Sequence, residues 1–525
     1  MRKLTALLAL LLCFAMLMSA CGAPAAEEPA AAPAEGEAPA AAPAEEAEAK
    51  TLTVGTQDAA DGFDPTVNAN CGLGLMLVYD TILYRDPETG VVGPMLAESY
   101  EWADETTLVL EIREGVKFSN GETMTPQDVL YSLQRFVTEN TQFDPGYDNI
   151  DFENSTIEGN TLTLKLFTAA PNLTNSLAND RWASVLCQSY VESSSDEAFW
   201  DKPVGTGPYT CVENVNGSHS TYALRDDYWG DMPEAETITV RHYSELTTMM
   251  VDFENGVLDL ALDVGETDYN LAMDGSYGDD VVGKLFPTYD ILAVTLPEYV
   301  EVLDDINVRK AIALALDAEG ITKAVYGSLG TVADSSLIPG VEGYKSVGVN
   351  VYDPEQAKQV LADAGYAEGD ISLLMLFPSM PANDKASTIV QAMLAEVGIN
   401  ITVESGDFAT VIPRLMRNEC EISLFGTGGG TYTATDIYAT VGETSTNAGA
   451  RCTDETFNEY LTSGSTEMDP NLRAESYSKA QDALADTYRF IPLSYANAAV
   501  LYHDNIDNVI GTVAKGLSLR YITFN

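Results

Sequence analysis

Few residues in this chain have the type and spacing that covalent chemistry requires. The three histidines, His219, His242 and His503, lie far apart, and none falls at metal-ligand spacing. No GxSxG elbow, HExxH helix or GxxxxGKS/T loop occurs. Asp58, Asp61 and Asp64 bring acids together, but not at the spacing of an EF-hand, so they read as loop acids. Gly426-Thr427-Gly428-Gly429-Gly430 could suggest a phosphate cradle, but it lacks the lysine and hydroxyl of one. Beyond Cys13 and Cys21 there are five cysteines: Cys71, Cys187, Cys211, Cys420 and Cys452. The number is odd and no CxxC occurs, so a zinc or redox site is not expected and any pairing stays open. The 26 tyrosines fit core and surface better than a binding platform. The expectation is no catalytic residue, no metal and no cofactor.

One cysteine does carry a chemical signal. Arg2 and Lys3 precede the apolar run Leu4 to Leu17, and Met18-Ser19-Ala20-Cys21 follows. That is the layout of a secretory leader with small residues before the cut. With cysteine directly after them it resembles a lipoprotein signal, in which Cys21 is lipidated and becomes the new N-terminus. The run of about 15 residues is short for a transmembrane helix, which needs about 20. Residues 22–50 are Ala, Pro and Glu with no aromatic or β-branched side chain, so they cannot bury apolar surface and read as a solvated tether. The reading is a leader over 1–20, a tether over 21–50, and an extracytoplasmic remainder held to the cell membrane by lipid.

Thr51-Leu52-Thr53-Val54 begins strand-like alternation, and the remaining sequence is long enough for two to four domains at roughly 100 to 200 residues each. The formal charge is −53, and loss of Arg2 and Lys3 makes it −55. Such a surface repels nucleic acid and anionic head groups, and it keeps a protein soluble.

Several elements are legible. Thr125-Pro126-Gln127-Asp128 starts a helix, with a capping hydroxyl, an early proline and an acid at the positive end. Val129, Leu130, Leu133 and Phe136 then recur at helical spacing. Asp353-Pro354-Glu355-Gln356 starts another, with Gln356 placed for a capping box and Gly365 to end it. Leu108 to Arg113 alternates as a strand, Glu114-Gly115 reads as a turn, and Val116-Lys117-Phe118 as the returning strand. From 371 to 425 the pattern is β-α-β-α-β: strand 372–377, helix 384–397, strand 399–403, helix 408–418 and strand 421–425. That order implies a parallel sheet with right-handed crossovers. Ligands sit beyond the carboxyl ends of such strands. Gly426 to Asp436 lies there, either as a ligand loop or as a plain surface connector.

Several stretches together resemble one family: the extracytoplasmic solute-binding proteins of ABC transporters, family 5, the large oligopeptide/dipeptide/nickel-binding type. They begin with PMLAESYEW from Pro94 and LVLEIREGVKFSNGETMTPQDVLYSLQR from Leu108. Next come Pro203-Val204-Gly205-Thr206-Gly207-Pro208-Tyr209 and FENGVLDLAL around Gly256 and Asp259. DINVRKAIALALD around Arg309, YDPEQAKQVLADAGY from Tyr352, INITVE after Gly398 and Ile491-Pro492-Leu493 follow. They stand in family order over about residues 51–525.

The resemblance implies an α/β fold, a periplasmic-binding-protein type II-like two-lobed clamshell with an additional inserted domain. Lobe I would take 51–86, 195–285 and 491–525, the inserted domain 87–194, and lobe II 286–490. The implied role is capture of a peptide or other small-molecule ligand by lobe closure, followed by docking on an ABC permease with its ATPase subunits. In peptide-binding relatives the first strand contacts peptide backbone, which maps to Gln57, Asp58 and Ala59. Their Gly-Trp-x-x-Asp loop, whose acid holds a free amine, maps to Gly426, Thr427, Gly428, Gly429 and Gly430, so both tryptophan and acid are missing. Asp436 either replaces that acid or serves as a helix cap or surface acid. Tyr147 and Tyr432 are further pocket expectations. Nickel suits the sequence poorly, since no histidine falls in 400–440. Other ligands open to the same role are a chelate, an oligosaccharide or another small metabolite. A secreted hydrolase and a surface adhesin are the competing classes.

Overall fold

The computed structural model describes residues 49–525 apart from 59–61, 67–72, 88, 140–144, 195–201, 349–350, 426–432, 446–448 and 512–516. Among the described residues the largest element is a nine-stranded mixed sheet. Its spine is two long antiparallel strands, Val281–Thr295 and Phe490–His503, which slip out of register between Pro287 and Ile291. One end of this ribbon pairs with Ser423–Phe425 and the other with Leu260–Ala261.

Strand directions follow from these pairings. Ser423–Phe425 is antiparallel to Val281–Thr295, with Phe425 opposite Ala293, so it runs toward the irregular stretch. Leu260–Ala261 is antiparallel to Phe490–His503 and runs toward the same stretch from the other end. Thr51–Thr56 is parallel to Leu260–Ala261 and to Thr237–His242, so it does likewise. Carboxyl ends of strands from both halves therefore meet at one level of the ribbon, the arrangement in which open α/β sheets bind ligands.

Each half has its own core. Val294, Ile312, Phe377, Leu394 and Leu493 share one hydrophobic cluster. Val54, Tyr209, Ile238, Leu260 and Val500 share another. A third, with Leu108, Leu110, Leu133, Phe136 and Leu164, lies under a four-stranded antiparallel sheet. The fully buried Leu133 and the nearly buried Phe136 are the apolar face read from sequence, now in helix Pro126–Glu139. Truncating such an aromatic to alanine typically costs about 3–5 kcal/mol.

The expected hairpin at 108–118 is corrected. Thr107–Ile112 pairs instead with Ala97–Asp104 on one side and Thr161–Lys165 on the other. Both edges are taken, so 116–118 has no strand to join. It folds back on itself, with the Phe118 N–H donating to the Glu122 carbonyl (2.9 Å). The region 371–425 is corrected in part. Ile371–Pro378 and Ile399–Gly406 form the expected parallel pair. The third strand touches that pair by one parallel bridge, Met375 to Ile422, and otherwise joins the main sheet. The second helix start is realised at Pro354–Asp363, where the Asp353 carboxylate accepts from the Gln356 N–H (2.8 Å).

The motif residues hold backbone together. A Cβ on Gly205 or Gly207 would lie 2.2 or 2.5 Å from carbonyl oxygens of Val78 and Leu77, so glycine is required there. The Arg225 guanidinium donates to the carbonyls of Gly207 and Lys117. Asp259 accepts from the Thr53 N–H (2.7 Å), and Arg309 donates to the carbonyls of Leu303 and Thr487.

Candidate functional site

Gln57 and Asp58 lie exposed just past Thr51–Thr56, at the level where strand ends meet. The Nδ1 of His242 donates to the Asp58 carbonyl (2.9 Å), fixing this turn to the neighbouring strand end. Ala59, Gly426, Thr427, Gly428, Tyr432 and Cys21 lie outside the described residues. Tyr147 departs from the pocket expectation. Its ring is fully buried in the core under the four-stranded sheet, edge-on to Phe136, and its hydroxyl donates to the Ser176 carbonyl (3.0 Å). Burial on that scale makes it a packing residue.

Asp436 sits in the first turn of helix Ala434–Ala439. Thr433 caps that helix: its hydroxyl donates to the Asp436 carboxylate (2.6 Å), and its oxygen accepts from the Asp436 N–H (3.2 Å). The sequence alternative made Asp436 itself a helix cap; the cap is Thr433, and Asp436 is the first-turn acid bonded to it. The carboxylate also has a second setting. It keeps some accessible surface but is surrounded by protein, and burial pushes its pKa up to about 6 against the pull of the Thr433 bonds and the Arg85 charge.

Asp180 is its counterpart. Burial raises it to about 6 as well, opposed by Arg520 and Arg85. Arg85 is thus the one cation acting on both raised carboxylates, and it also donates to the Asn175 side chain (2.5 Å). Beside it, the Asn172 amide donates to the Thr435 hydroxyl (2.7 Å) and the Tyr477 hydroxyl (3.1 Å). Sequence reading missed Arg85, Asp180, Asn172 and Tyr477. Their partners lie up to 305 residues away, and no local spacing marks them.

Behind Asp180 is a cavity of about 30 Å³, lined by Asp80, Asp180, Arg520, Tyr84 and Tyr521 among others. That is room for a water rather than a solute. Asp80 there is fully satisfied. It accepts from Arg520 (2.7 Å), from the Trp229 indole (2.8 Å) and from the Tyr228 hydroxyl (3.3 Å). Among the described residues no group of three or more His, Cys, Asp or Glu could hold a metal ion. Cys187, Cys420 and Cys452 are buried free thiols. No described helix is long and apolar enough to cross a membrane.

Residues 91–449 match the family described as bacterial extracellular solute-binding proteins, family 5 Middle. The chain belongs to this family. Among its relatives is heme-binding protein A of Haemophilus influenzae, 24% identical over 85% of this chain and 87% of that protein. Another is the dipeptide-binding protein of Escherichia coli K12, 23% identical over 89% of this chain and 92% of that one. The crystal structure of NikA from Brucella suis in complex with Fe(III)-EDTA superposes with a TM-score of 0.80 at 20% identity, covering 90% of this chain and all of NikA. The fold of this solute-binding protein is therefore the two-lobed type II arrangement. Its relatives are substrate-binding proteins of ABC transporters, not enzymes, and they act outside the cytoplasm.

Proposed function

We propose that this binding protein is the lipid-anchored capture component of an ABC importer and that its ligand is a peptide. The observations that carry the peptide reading are two carboxylates surrounded by protein, Asp180 and Asp436, the second held by the Thr433 hydroxyl at the start of helix Ala434–Ala439. Both have raised pKa values, and Arg85 is the cation common to both. An ammonium group entering beside Asp436 would supply the charge that burial withholds, by a charge-assisted hydrogen bond. The loop acid of peptide-binding relatives is absent at Gly430, so Asp436 takes its role in this reading. Gln57, Asp58 and Ala59 would face the peptide backbone from the opposite strand end, with Gly426, Thr427, Gly428 and Tyr432 completing the wall. The similarity to a dipeptide-binding protein over 89% of the chain supports the same class.

Lobe I would comprise 51–86, 195–285 and 491–525, the inserted domain 87–194, and lobe II 286–490. The separate hydrophobic clusters support this division. Phe490 to Tyr495 pack with lobe II residues, so the second crossing would lie a few residues past 490. Closure would bend the ribbon at its irregular stretch, and the closed form would dock on the permease. Cys21 would carry the lipid.

Native mass spectrometry of the purified protein, with identification of anything released on denaturation, tests the ligand class. A series of peptides supports the reading and gives their lengths. A single non-peptide mass keeps the transport role and rejects the peptide. Peptide turnover abolished by one Asp or Ser substitution would instead favour a hydrolase.

A further inference from the structure

We propose that Asn172 is a positioning residue for capture, whose side-chain amide clasps Thr435 and Tyr477 across the seam where the core under the four-stranded sheet meets the core that buries helix Ala434–Ala439. The inference rests on the two-lobed fold and not on the identity of the ligand.

Asn172 occupies the N-cap position of the short helix Leu173–Ser176. Asparagine is favoured there because its side chain ordinarily accepts from a free N–H of the first turn. Here it makes no such bond. Its amide instead donates to Thr435 at 2.7 Å and to Tyr477 at 3.1 Å, 263 and 305 residues away in sequence. Thr435 and Tyr477 are themselves hydrogen-bonded through their hydroxyls, closing a triangle of three groups. Leu173, next to Asn172, is buried in the core under the four-stranded sheet, whereas Tyr477 and Ala434 are buried in the core with Tyr438 and Phe457. The triangle thus joins two separately packed bodies.

Position gives the clasp its consequence. Thr435 is the residue before Asp436, so holding Thr435 also fixes the first turn that presents the carboxylate. The Tyr477 ring is fully buried and its hydroxyl keeps Thr435 as a partner, so what opening the seam withdraws is the Asn172 amide from both hydroxyls. Neutral hydrogen bonds of this kind are individually modest, so loss of the amide should lower the closed-to-open ratio about fivefold. A bias of that size lets a ligand complete closure without locking the empty protein.

The test needs no ligand. Spin labels on cysteines introduced at the exposed Glu158 and Glu459, one on each side, report the distance distribution by electron double resonance in the ligand-free protein. Asn172→Ala and Thr435→Val should each shift population from the short to the long distance. The double variant should shift it no further than Asn172→Ala alone, because that change already removes both bonds that cross the seam. Thr435→Ser, which keeps the hydroxyl, should restore the wild-type distribution. Tyr477→Phe, which removes one oxygen and leaves the buried ring, is the check if a larger change impairs folding. Distributions that stay the same in Asn172→Ala and Tyr477→Phe, or Thr435→Ser behaving as Thr435→Val does, would overturn the clasp. Neither outcome bears on whether the natural ligand is a peptide.

Discussion

Two carboxylates, Asp80 and Asp436, have opposite surroundings. Asp80 is fully buried and meets an arginine, an indole N–H and a tyrosine hydroxyl directly. Arg520, in turn, donates to the carbonyls of Met76 and Tyr79 as well. Asp80 and Arg520 each have their complement inside the protein, so this pair holds structure. Asp436 has a hydroxyl and a backbone N–H close by, but the cation whose charge acts on it, Arg85, acts on Asp180 too. A buried charge that the protein leaves under-compensated is one that a ligand can complete. The contrast supports reading Asp80 as a scaffold group and Asp436 as the binding group proposed above, without reference to any relative.

The largest expected effect falls on the scaffold side. Asp80→Ala leaves Arg520 buried without its counter-ion and should cost about 3–5 kcal/mol in urea unfolding. Little change in midpoint would show that Asp80 is no more structural than Asp436, and the comparison would collapse. Next is Asp436→Asn, which keeps an acceptor for the Thr433 hydroxyl but removes the charge. Affinity for the peptide identified by mass spectrometry should fall about ten- to a hundredfold while the unfolding midpoint stays near wild type. Unchanged affinity in calorimetry would remove Asp436 from the site. Asp436→Ala should lose the same affinity and, through the damaged cap, about 1 kcal/mol of stability.

Acidity sharpens the contrast further. Asp436 and Asp180 titrate near 6 in the folded protein, above the ordinary value of 3.8. Between about pH 4 and pH 6 the native state therefore holds more protons than the unfolded chain. The contribution of these two groups to stability is greatest at the acid end and falls as pH rises through that window. Capture of an ammonium group has the opposite sign, because it needs the ionised carboxylate, so affinity should rise from pH 5 to pH 7. Calorimetry at both values checks it, and flat affinity would count against an amine at this site. The smallest effect is expected on the far side of the ribbon. There the exposed Ser328 hydroxyl donates to the Asn270 side chain (2.9 Å), and its N–H lies 3.3 Å from Glu266. Ser328→Ala should change thermal stability by no more than about 0.5 kcal/mol. A larger loss would mean that exposed seam contacts matter as much as the buried ones.

What could be read ahead of the structure has a common physical form. The helices at 126 and 354 begin where local capping residues and apolar spacing agree, and both are found there. The strand pair 371–378 and 399–406 was legible because a helix of fitting length separates two apolar runs. The hairpin at 116–118 was misread because both edges of Thr107–Ile112 are claimed by strands whose proximity only the fold creates. Tyr147 was misplaced for a related reason. A tyrosine in a loop-like stretch gives no sign of whether its ring turns inward, and here it does, with its hydroxyl taken by Ser176. Asp436 was noticed from its neighbours in sequence, but its raised pKa arises from burial, opposed by the charge of Arg85, and neither is local.

By itself the sequence determined the family, the helix starts at 126 and 354, the element order over 371–425 and the lack of local catalytic motifs. Each of these is carried by residues close together in the chain, where capping, periodicity and turn chemistry act. Only the tertiary structure decided that Asp80 is a satisfied scaffold charge while Asp436 and Asp180 share one arginine, and that Asn172 leaves its own helix to bond Thr435 and Tyr477. Solvation and charge compensation depend on what surrounds a group in space, and for these residues the surroundings are assembled from segments up to 440 positions apart.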